Sequence, residues 1–138
     1  MKKGFTLIEL IIVMGIVATL TSFVTLNLTG SRKRVGVATT MEVLAADLRG
    51  TQMRAMAGEG PQEIAFGGDR YTLNPEGFVV TLDPEIAITT TYPQNKITFA
   101  GRSGEAVGQG TITVTDTSGG VTKTLTVNQY GTARTISN

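Results

Sequence analysis

A single carboxylate stands in the long apolar segment near the N-terminus. The 24 residues from Phe5 to Leu28 carry one charged side chain, that of Glu9. Burying a carboxylate in a membrane costs on the order of 2.5–3.5 kcal/mol or more, and such residues usually have a partner and a function. Glu9 is therefore the first candidate for chemistry. The alternative is that Glu9 lies close enough to the helix end for its carboxylate to reach the lipid headgroups.

Charged groups elsewhere form no recognisable metal or nucleotide site. The carboxylates of Asp69, Asp83, Glu85 and Asp116 are scattered without the spacing of a calcium loop. The glycine-rich stretch 101–110 is not followed by the Lys-Ser/Thr pair of a phosphate-binding loop. We expect no catalytic residue, no metal and no cofactor.

The composition narrows the function further. The chain contains no Cys, no His and no Trp. Thiolate or imidazole metal ligation, disulfides and nucleophile–His catalysis are therefore excluded. Twelve basic residues face 11 acidic ones, for a net charge of +1, which argues against a general polyanion binder but leaves room for a local basic patch. We expect a protein that is not an enzyme.

The apolar segment predicts a membrane-spanning helix over residues 5–28. As a helix it would span roughly 36 Å, against a hydrocarbon core of about 30 Å. It is longer than the apolar part of a secretory signal peptide, and no small-x-small cleavage site closes it. We interpret Arg32, Lys33 and Arg34, which follow it, as a flank that contacts anionic lipid headgroups.

An amphipathic stretch continues the helix to the stop signals at Gly58 and Pro61. Its apolar residues recur at spacings of three and four, which predicts one face packed on a sheet. That face comprises Val37, Met41, Leu44, Ala45, Leu48, Gln52, Ala55 and Met56. A helix from Phe5 to Gly58 would be about 80 Å long, so it must project from a globule of this size, as in a lollipop.

After Pro61 the pattern changes to short strands separated by turn residues. Gly67-Gly68-Asp69 and Ser118-Gly119-Gly120 predict two hairpins. The fold class predicted is α+β, with a long N-terminal helix, transmembrane in its first half and amphipathic in its second, packed on a C-terminal antiparallel β-sheet domain. The predicted strands are Gln62–Phe66, Arg70–Asn74, Phe78–Leu82, Ile86–Thr91, Lys96–Ala100, Thr111–Thr117, Val121–Asn128 and Thr132–Ile136.

The first residues resemble the class III signal of type IV pilins and type II secretion pseudopilins. Lys2-Lys3-Gly4 is followed by Phe5-Thr6-Leu7-Ile8-Glu9-Leu10 and by the uninterrupted apolar helix. The resemblance implies that a prepilin peptidase cuts between Gly4 and Phe5 on the cytoplasmic side and then methylates the amine of Phe5. Glu9 becomes the fifth residue of the mature chain, where this family has its Glu.

The same resemblance provides a partner for Glu9. Cleavage creates an α-amine whose pKa is ordinarily about 7.7–8.0, so that it is mostly cationic at neutral pH. The amine of Phe5 in an incoming subunit can neutralise Glu9 of a neighbour already in the filament, which offsets the cost of burying either charge alone. Phe5 and Glu9 are therefore the predicted residues of subunit assembly.

Domain organisation and location follow from the resemblance. We expect a leader peptide over 1–4, a transmembrane or filament-core helix over 5–28, its amphipathic half over 29–60 and a β-rich head over 61–138. The chain would be a single-pass protein of the inner membrane and then part of a periplasmic or cell-surface filament. The implied partners are the prepilin peptidase, other pilin or pseudopilin subunits, the inner-membrane assembly platform, and membrane lipid before assembly.

The C-terminal half is similar to minor pseudopilins of the GspH/FimT type. This similarity implies a structural subunit of a type IV pilus or a type II secretion pseudopilus, one that primes or caps the fibre. The helix end of that branch is matched by Leu48–Ala57. Its β-domain pattern is matched by Ile97-Thr98-Phe99, Gly101 to Gly110, Thr111 to Val127 and Gly131-Thr132-Ala133-Arg134.

Other functions remain open at this point. One is a DNA-binding minor pilin of a competence pilus, with contacts from the cluster Arg32 to Arg34 and from Arg134. After Pro61, however, five basic residues face seven acidic ones, so few phosphates could be neutralised and nucleic acid is not the expected partner. A major filament subunit and an unprocessed membrane-anchored binding domain are the others. Leu26 stands where many family members have Pro, which leaves open whether the helix bends there.

Overall fold

The computed structural model describes residues 5–118 and 120–137, without the side chains of residues 23–33 and 137. The chain divides into two units, Met1–Lys33 and Arg34–Asn138. Helix α1, Leu7–Met56, contributes its first part to the N-terminal unit and the remainder to the C-terminal unit. The nine strands all belong to the C-terminal unit.

Within the C-terminal unit, α1 buries one face, as its apolar spacing predicts. The fully buried apolar residues of that face are at most 2% exposed and recur every three, four or seven positions. They are Val37, Met41, Leu44, Leu48 and Ala55. Four positions differ from the prediction: Thr51 is fully buried although it is polar, Ala45 and Gln52 are half-buried, and Met56, the last residue of the helix, is 54% exposed.

Five strands form the first antiparallel sheet, in the order β3-β2-β1-β5-β6. The central strand β1 pairs with β2 and with β5, so that Ile64 lies opposite both Leu73 and Ile97. Side chains of β1 alternate between buried and half-buried, which places one face of the sheet on the core. The strands are β1 (Gln62–Phe66), β2 (Arg70–Asn74), β3 (Phe78–Thr81), β5 (Lys96–Phe99) and β6 (Ala106–Val107).

Four strands form the second antiparallel sheet, in the order β4-β7-β8-β9. The hairpin of β7 and β8 aligns Ile112 with Leu125 and Gly110 with Val127. These apolar partners point to one face, and Thr residues occupy much of the other. The strands are β4 (Ile86–Thr90), β7 (Gly110–Asp116), β8 (Thr122–Val127) and β9 (Ala133–Ser137).

One hydrophobic core joins the helix to both sheets. It contains Leu44 of α1, Phe99 of the first sheet and Val114 of the second, all fully buried. The predicted α+β fold is therefore confirmed, including both predicted hairpins. The strand β6 was missed, because its two residues lie in the stretch 101–110, where glycines indicate only a loop.

Gln52 connects the end of α1 to two loops. Its side-chain Nε2 donates hydrogen bonds to the carbonyl oxygens of Gly104 at 3.0 Å and Tyr130 at 2.8 Å. The loop reaches this close because the next residue is Gly131, which has a φ of 76° and no side chain. A Cβ at Gly131 would overlap the amide of Gln52. The spacing of α1 had placed Gln52 on the buried face, and its role there is polar.

A second polar contact joins the helix to the first sheet. The hydroxyl of Tyr71 on β2 donates a hydrogen bond to Asp47 Oδ2 on α1 at 2.5 Å. Tyr71 is 1% exposed. Burial, and then the hydrogen bond to Asp47, raise the pKa of Tyr71 well above its ordinary value.

Gly131→Ala is expected to lower the free energy of unfolding by about 3 kcal/mol. An alanine would combine the strain of a positive φ, about 1–2 kcal/mol, with displacement of the Gln52 amide, whose two hydrogen bonds contribute about 0.5–1.5 kcal/mol each. Urea unfolding of the full chain in neutral detergent, followed by circular dichroism, measures this. Gly77→Ala is the matched control, because Gly77 has a φ of 71° but nothing within 4 Å of an added Cβ. Equal losses for the two variants would contradict the steric argument.

Tyr71→Phe is expected to lower the free energy of unfolding by about 1–2 kcal/mol at neutral pH, since it leaves Asp47 without its donor. The raised pKa of Tyr71 gives this loss a pH dependence. Above pH 10, Tyr71 ionises in the unfolded chain while it is still neutral in the folded chain. Ionisation stabilises the unfolded wild type, so its free energy of unfolding falls, whereas the Phe variant has no such group at this position. The gap between the two proteins should narrow between pH 10 and pH 11 in urea titrations.

Tyr130→Phe serves as the control for that experiment. Tyr130 is 65% exposed, and its hydroxyl has no hydrogen-bond partner among the described residues. Its replacement should leave the free energy of unfolding within about 0.5 kcal/mol of the wild type. A gap for Tyr71→Phe that stays constant from pH 7 to pH 11 would refute the role of the hydroxyl.

Candidate assembly site

Thr6 and Glu9 close the N-terminal end of α1 reciprocally. Thr6 Oγ1 accepts a hydrogen bond from the backbone N–H of Glu9 at 3.3 Å, and Glu9 Oε2 accepts one from the backbone N–H of Thr6 at 3.2 Å. This pair is a capping box, which satisfies two N–H groups that have no partner inside the helix. Sequence reasoning missed this role of Glu9, although Thr-x-x-Glu before an apolar run is its known signal.

The other carboxylate oxygen of Glu9, Oε1, accepts no hydrogen bond from the described residues. The ion pairs within the described part of the chain use Arg54, Arg70 and Lys96, and none involves Glu9. The side chain of Glu9 is exposed. One oxygen therefore caps the helix of its own chain, while the other can accept a hydrogen bond from a cation of another chain.

Phe5 lies one residue before the cap and is 89% exposed. Gly4, the other residue of the predicted cleavage site, lies outside the described residues. The structure thus places Phe5 and Glu9 at the same end of the N-terminal unit, four residues apart.

The helix that follows the cap carries an exposed apolar surface among the described residues. Its large apolar side chains are between 53% and 76% exposed. These residues are Leu7, Ile8, Leu10, Ile11, Ile12, Val13, Met14, Ile16, Val17 and Leu20. A contiguous apolar surface of this kind marks a contact with other proteins or with lipid.

Among the residues that the structure describes, no helix has an apolar stretch long enough to cross a membrane. The side chains of residues 23–28, the last part of the predicted span, are not among those that the structure describes.

Three hydroxyl groups in this part of the helix, those of Thr19, Thr21 and Ser22, donate to their own backbone. Thr19 donates to the carbonyl of Ile16 at 2.8 Å, and Thr21 donates to that of Val17 at 2.8 Å. Such bonds let hydroxyl groups enter an apolar environment without an unpaired donor. They suit a helix that is to be covered by other helices or by lipid.

The basic residues that the sequence singled out are only partly described. The side chains of Arg32 and Lys33 lie outside the described residues. Arg34 is exposed on α1, where it lines a groove together with Lys123 of β8, a residue that sequence reasoning did not select. Arg134 is exposed on β9 and does not line that groove.

The residues that match the GspH/FimT pattern have structural roles in the head. Ile97 and Phe99 are fully buried in the core. An added Cβ at Gly110 would come within 2.7 Å of the Tyr92 ring, so only glycine allows the ring to pack there. Gly131 permits the contact with Gln52. Within the described residues, no cluster of carboxylates could hold a metal ion.

Comparisons with known proteins agree with these observations. The family model "Prokaryotic N-terminal methylation motif" matches residues 1–25. No curated protein matches the chain.

Two solved structures have the same fold. One is the minor pseudopilin EpsH from the type 2 secretion system of Vibrio cholerae, with a TM-score of 0.60 and 13% identity over 74% of this chain and 97% of that one. The other is the type IV minor pilin FimU of Pseudomonas aeruginosa strain PAO1, with a TM-score of 0.57 and 14% identity over 74% of this chain and 89% of that one.

The matched names describe an N-terminal methylation motif, a minor pseudopilin and a type IV minor pilin. The motif covers the predicted cleavage site, Glu9 and most of the apolar helix. The resemblance is therefore confirmed: the chain carries the N-terminal methylation motif of prokaryotic pilins, and its fold is that of minor pseudopilins and type IV minor pilins.

Proposed function

We propose that the chain is a minor subunit of a type II secretion pseudopilus or a type IV pilus. A prepilin peptidase cuts between Gly4 and Phe5, and Phe5 becomes the N-methylated terminus. The chain is held in the inner membrane by residues 5–28 and then passes into a filament on the other side. There it primes or caps the fibre, with its β-rich head on the surface.

The observation that carries this proposal is the charge of Glu9 inside the methylation motif. Glu9 is the only charge among the 24 residues from Phe5 to Leu28, and no described cation neutralises it. Removal of residues 1–4 creates a cation at Phe5, four residues away along the chain. In one chain the amine of Phe5 and the carboxylate of Glu9 lie at the same end of the helix. The amine that pairs with Glu9 is therefore that of a second subunit, which is displaced along the filament relative to the first.

The capping box defines how that pairing can form. Oε2 of Glu9 is engaged with Thr6, whereas Oε1 has no partner among the described residues. The incoming amine therefore binds Oε1 and leaves the helix cap in place. Two buried charges that are paired and hydrogen-bonded cost far less than one that is buried alone.

The first test is the mass of the mature chain. Co-expression with an active prepilin peptidase should yield a protein that begins at Phe5 and is heavier by one methyl group than the bare cleaved chain. Intact-mass and N-terminal fragment spectra of the membrane fraction measure both changes. Gly4→Val should block cleavage, because a side chain at the cut prevents close approach of the backbone to the peptidase. A chain that keeps Met1 to Gly4 beside the active enzyme would refute the proposal.

The second test separates the charge of Glu9 from its capping role. Glu9→Gln keeps a side chain that can complete a capping box but removes the charge. It should be processed normally, yet its incorporation into sheared filaments should fall at least tenfold, since about 1.4 kcal/mol of lost pairing already gives a tenfold change. Glu9→Ala should behave in the same way.

Thr6→Ala is the matched control, because it removes the cap and keeps the charge. Its loss is that of an N-cap, about 0.5–2 kcal/mol of helix stability, and it should still enter filaments. Immunoblots of filament and membrane fractions compare the variants. Normal incorporation of Glu9→Gln, or an equal defect in Thr6→Ala, would overturn the pairing argument.

A further inference from the structure

A groove of about 510 Å³ lies on the C-terminal unit between α1 and β8. Arg34 and Lys123 contribute its charged side chains, and none of the residues that line it is acidic. Val35, Ala38 and Val121 contribute apolar walls, and Val35 is 63% exposed. The groove thus combines two cations with an apolar surface.

The two cations are available for a ligand. Neither Arg34 nor Lys123 forms an ion pair with a described residue. The carboxylate of Asp116 lies beside the groove, since an added Cβ at Gly120 would be 3.6 Å from its Oδ2. Asp116 is 2% exposed and accepts hydrogen bonds from the backbone N–H and the hydroxyl of Ser118, so it is buried and engaged by the β7–β8 turn.

We propose that this groove binds the phosphate group of an anionic phospholipid such as phosphatidylglycerol. The inference rests on the membrane stage of the proposed function. Arg34 follows Leu28, the last residue of the apolar segment, by six positions in the sequence, and cations beside a span are attracted to anionic headgroups. Lys123, from the other end of the chain, supplies the second charge.

The apolar walls favour lipid over a hydrated anion or a carboxylate of another subunit. A phosphate between Arg34 and Lys123 would place the glycerol and upper acyl chain of a phospholipid against Val35 and Val121. These contacts remove apolar surface from water, which a small anion cannot do. The bound lipid holds the head at the membrane until the subunit leaves for the filament.

Native mass spectrometry of the full chain in neutral detergent tests the site. Phosphatidylglycerol or phosphatidylcholine is titrated, and the Kd of the first bound lipid is measured. The wild type should bind phosphatidylglycerol at least fivefold more tightly than phosphatidylcholine. Lys123→Gln should weaken phosphatidylglycerol binding about fivefold, on the scale of one basic residue near an anionic surface. Lys123→Arg should retain the affinity.

Arg134→Gln is the matched control, because Arg134 is an exposed cation on β9, the strand next to β8, and lies outside the groove. It should leave the Kd unchanged. Equal effects of Lys123→Gln and Arg134→Gln would indicate general charge attraction and overturn the inference. So would a Lys123→Gln chain that binds lipid normally but enters filaments poorly, because its partner would then be a carboxylate of another subunit.

These outcomes are separable from a failure of the proposed function. Processing and filament incorporation are measured in cells, and lipid binding is measured on the purified chain. A chain that is never cut at Gly4 but loses lipid affinity on Lys123→Gln would refute the filament role and keep the lipid site. A chain that is processed but shows no preference for phosphatidylglycerol would refute the lipid site and keep the filament role.

Discussion

The N-terminal part of α1 leaves many of its described apolar side chains in contact with water. Each large apolar residue on the N-terminal part of α1 gains about 1.5–3 kcal/mol when it is buried, and ten of them are more than half exposed. The other features of this segment make burial feasible. The hydroxyl groups of Thr19, Thr21 and Ser22 bond to their own backbone, the capping box satisfies two N–H groups, and the charge of Glu9 remains. That charge restricts which surroundings are acceptable, because lipid acyl chains cannot neutralise it and a cation can.

The C-terminal unit differs from the N-terminal part of α1, because its apolar residues are buried against one another in a core. Its core draws on α1 and both sheets, and it reaches full burial at Leu44, Phe99 and Val114. Polar contacts to the helix include those of Asp47 with Tyr71, of Gln52 with two loop carbonyls and of Arg54 with Glu76. The core of this unit is therefore formed by its own residues.

Local patterns in the sequence account for most of this structure. The buried face of α1 and eight of the nine strands follow from periodicity and turn residues, because these signals lie within a few neighbouring positions. The strand β6 could not be predicted, since two residues carry no period and are held by pairing with Phe99. Lys123 was missed for a similar reason: its neighbourhood with Arg34 depends on how the β7–β8 hairpin lies against a helix about 90 positions earlier. The capping box, by contrast, could have been predicted from the sequence, because Thr6 and Glu9 have its spacing.

The link from Gln52 to Gly104 and Tyr130 has a consequence for the environment in which the head can work. An amide carries no net charge and does not titrate, so the strength of this link changes little with ionic strength or acidity. The helix end and the loop before the final strand therefore stay joined whether the head faces a dilute or a concentrated medium. The C-terminal unit therefore keeps this contact over a wide range of salt concentration and acidity.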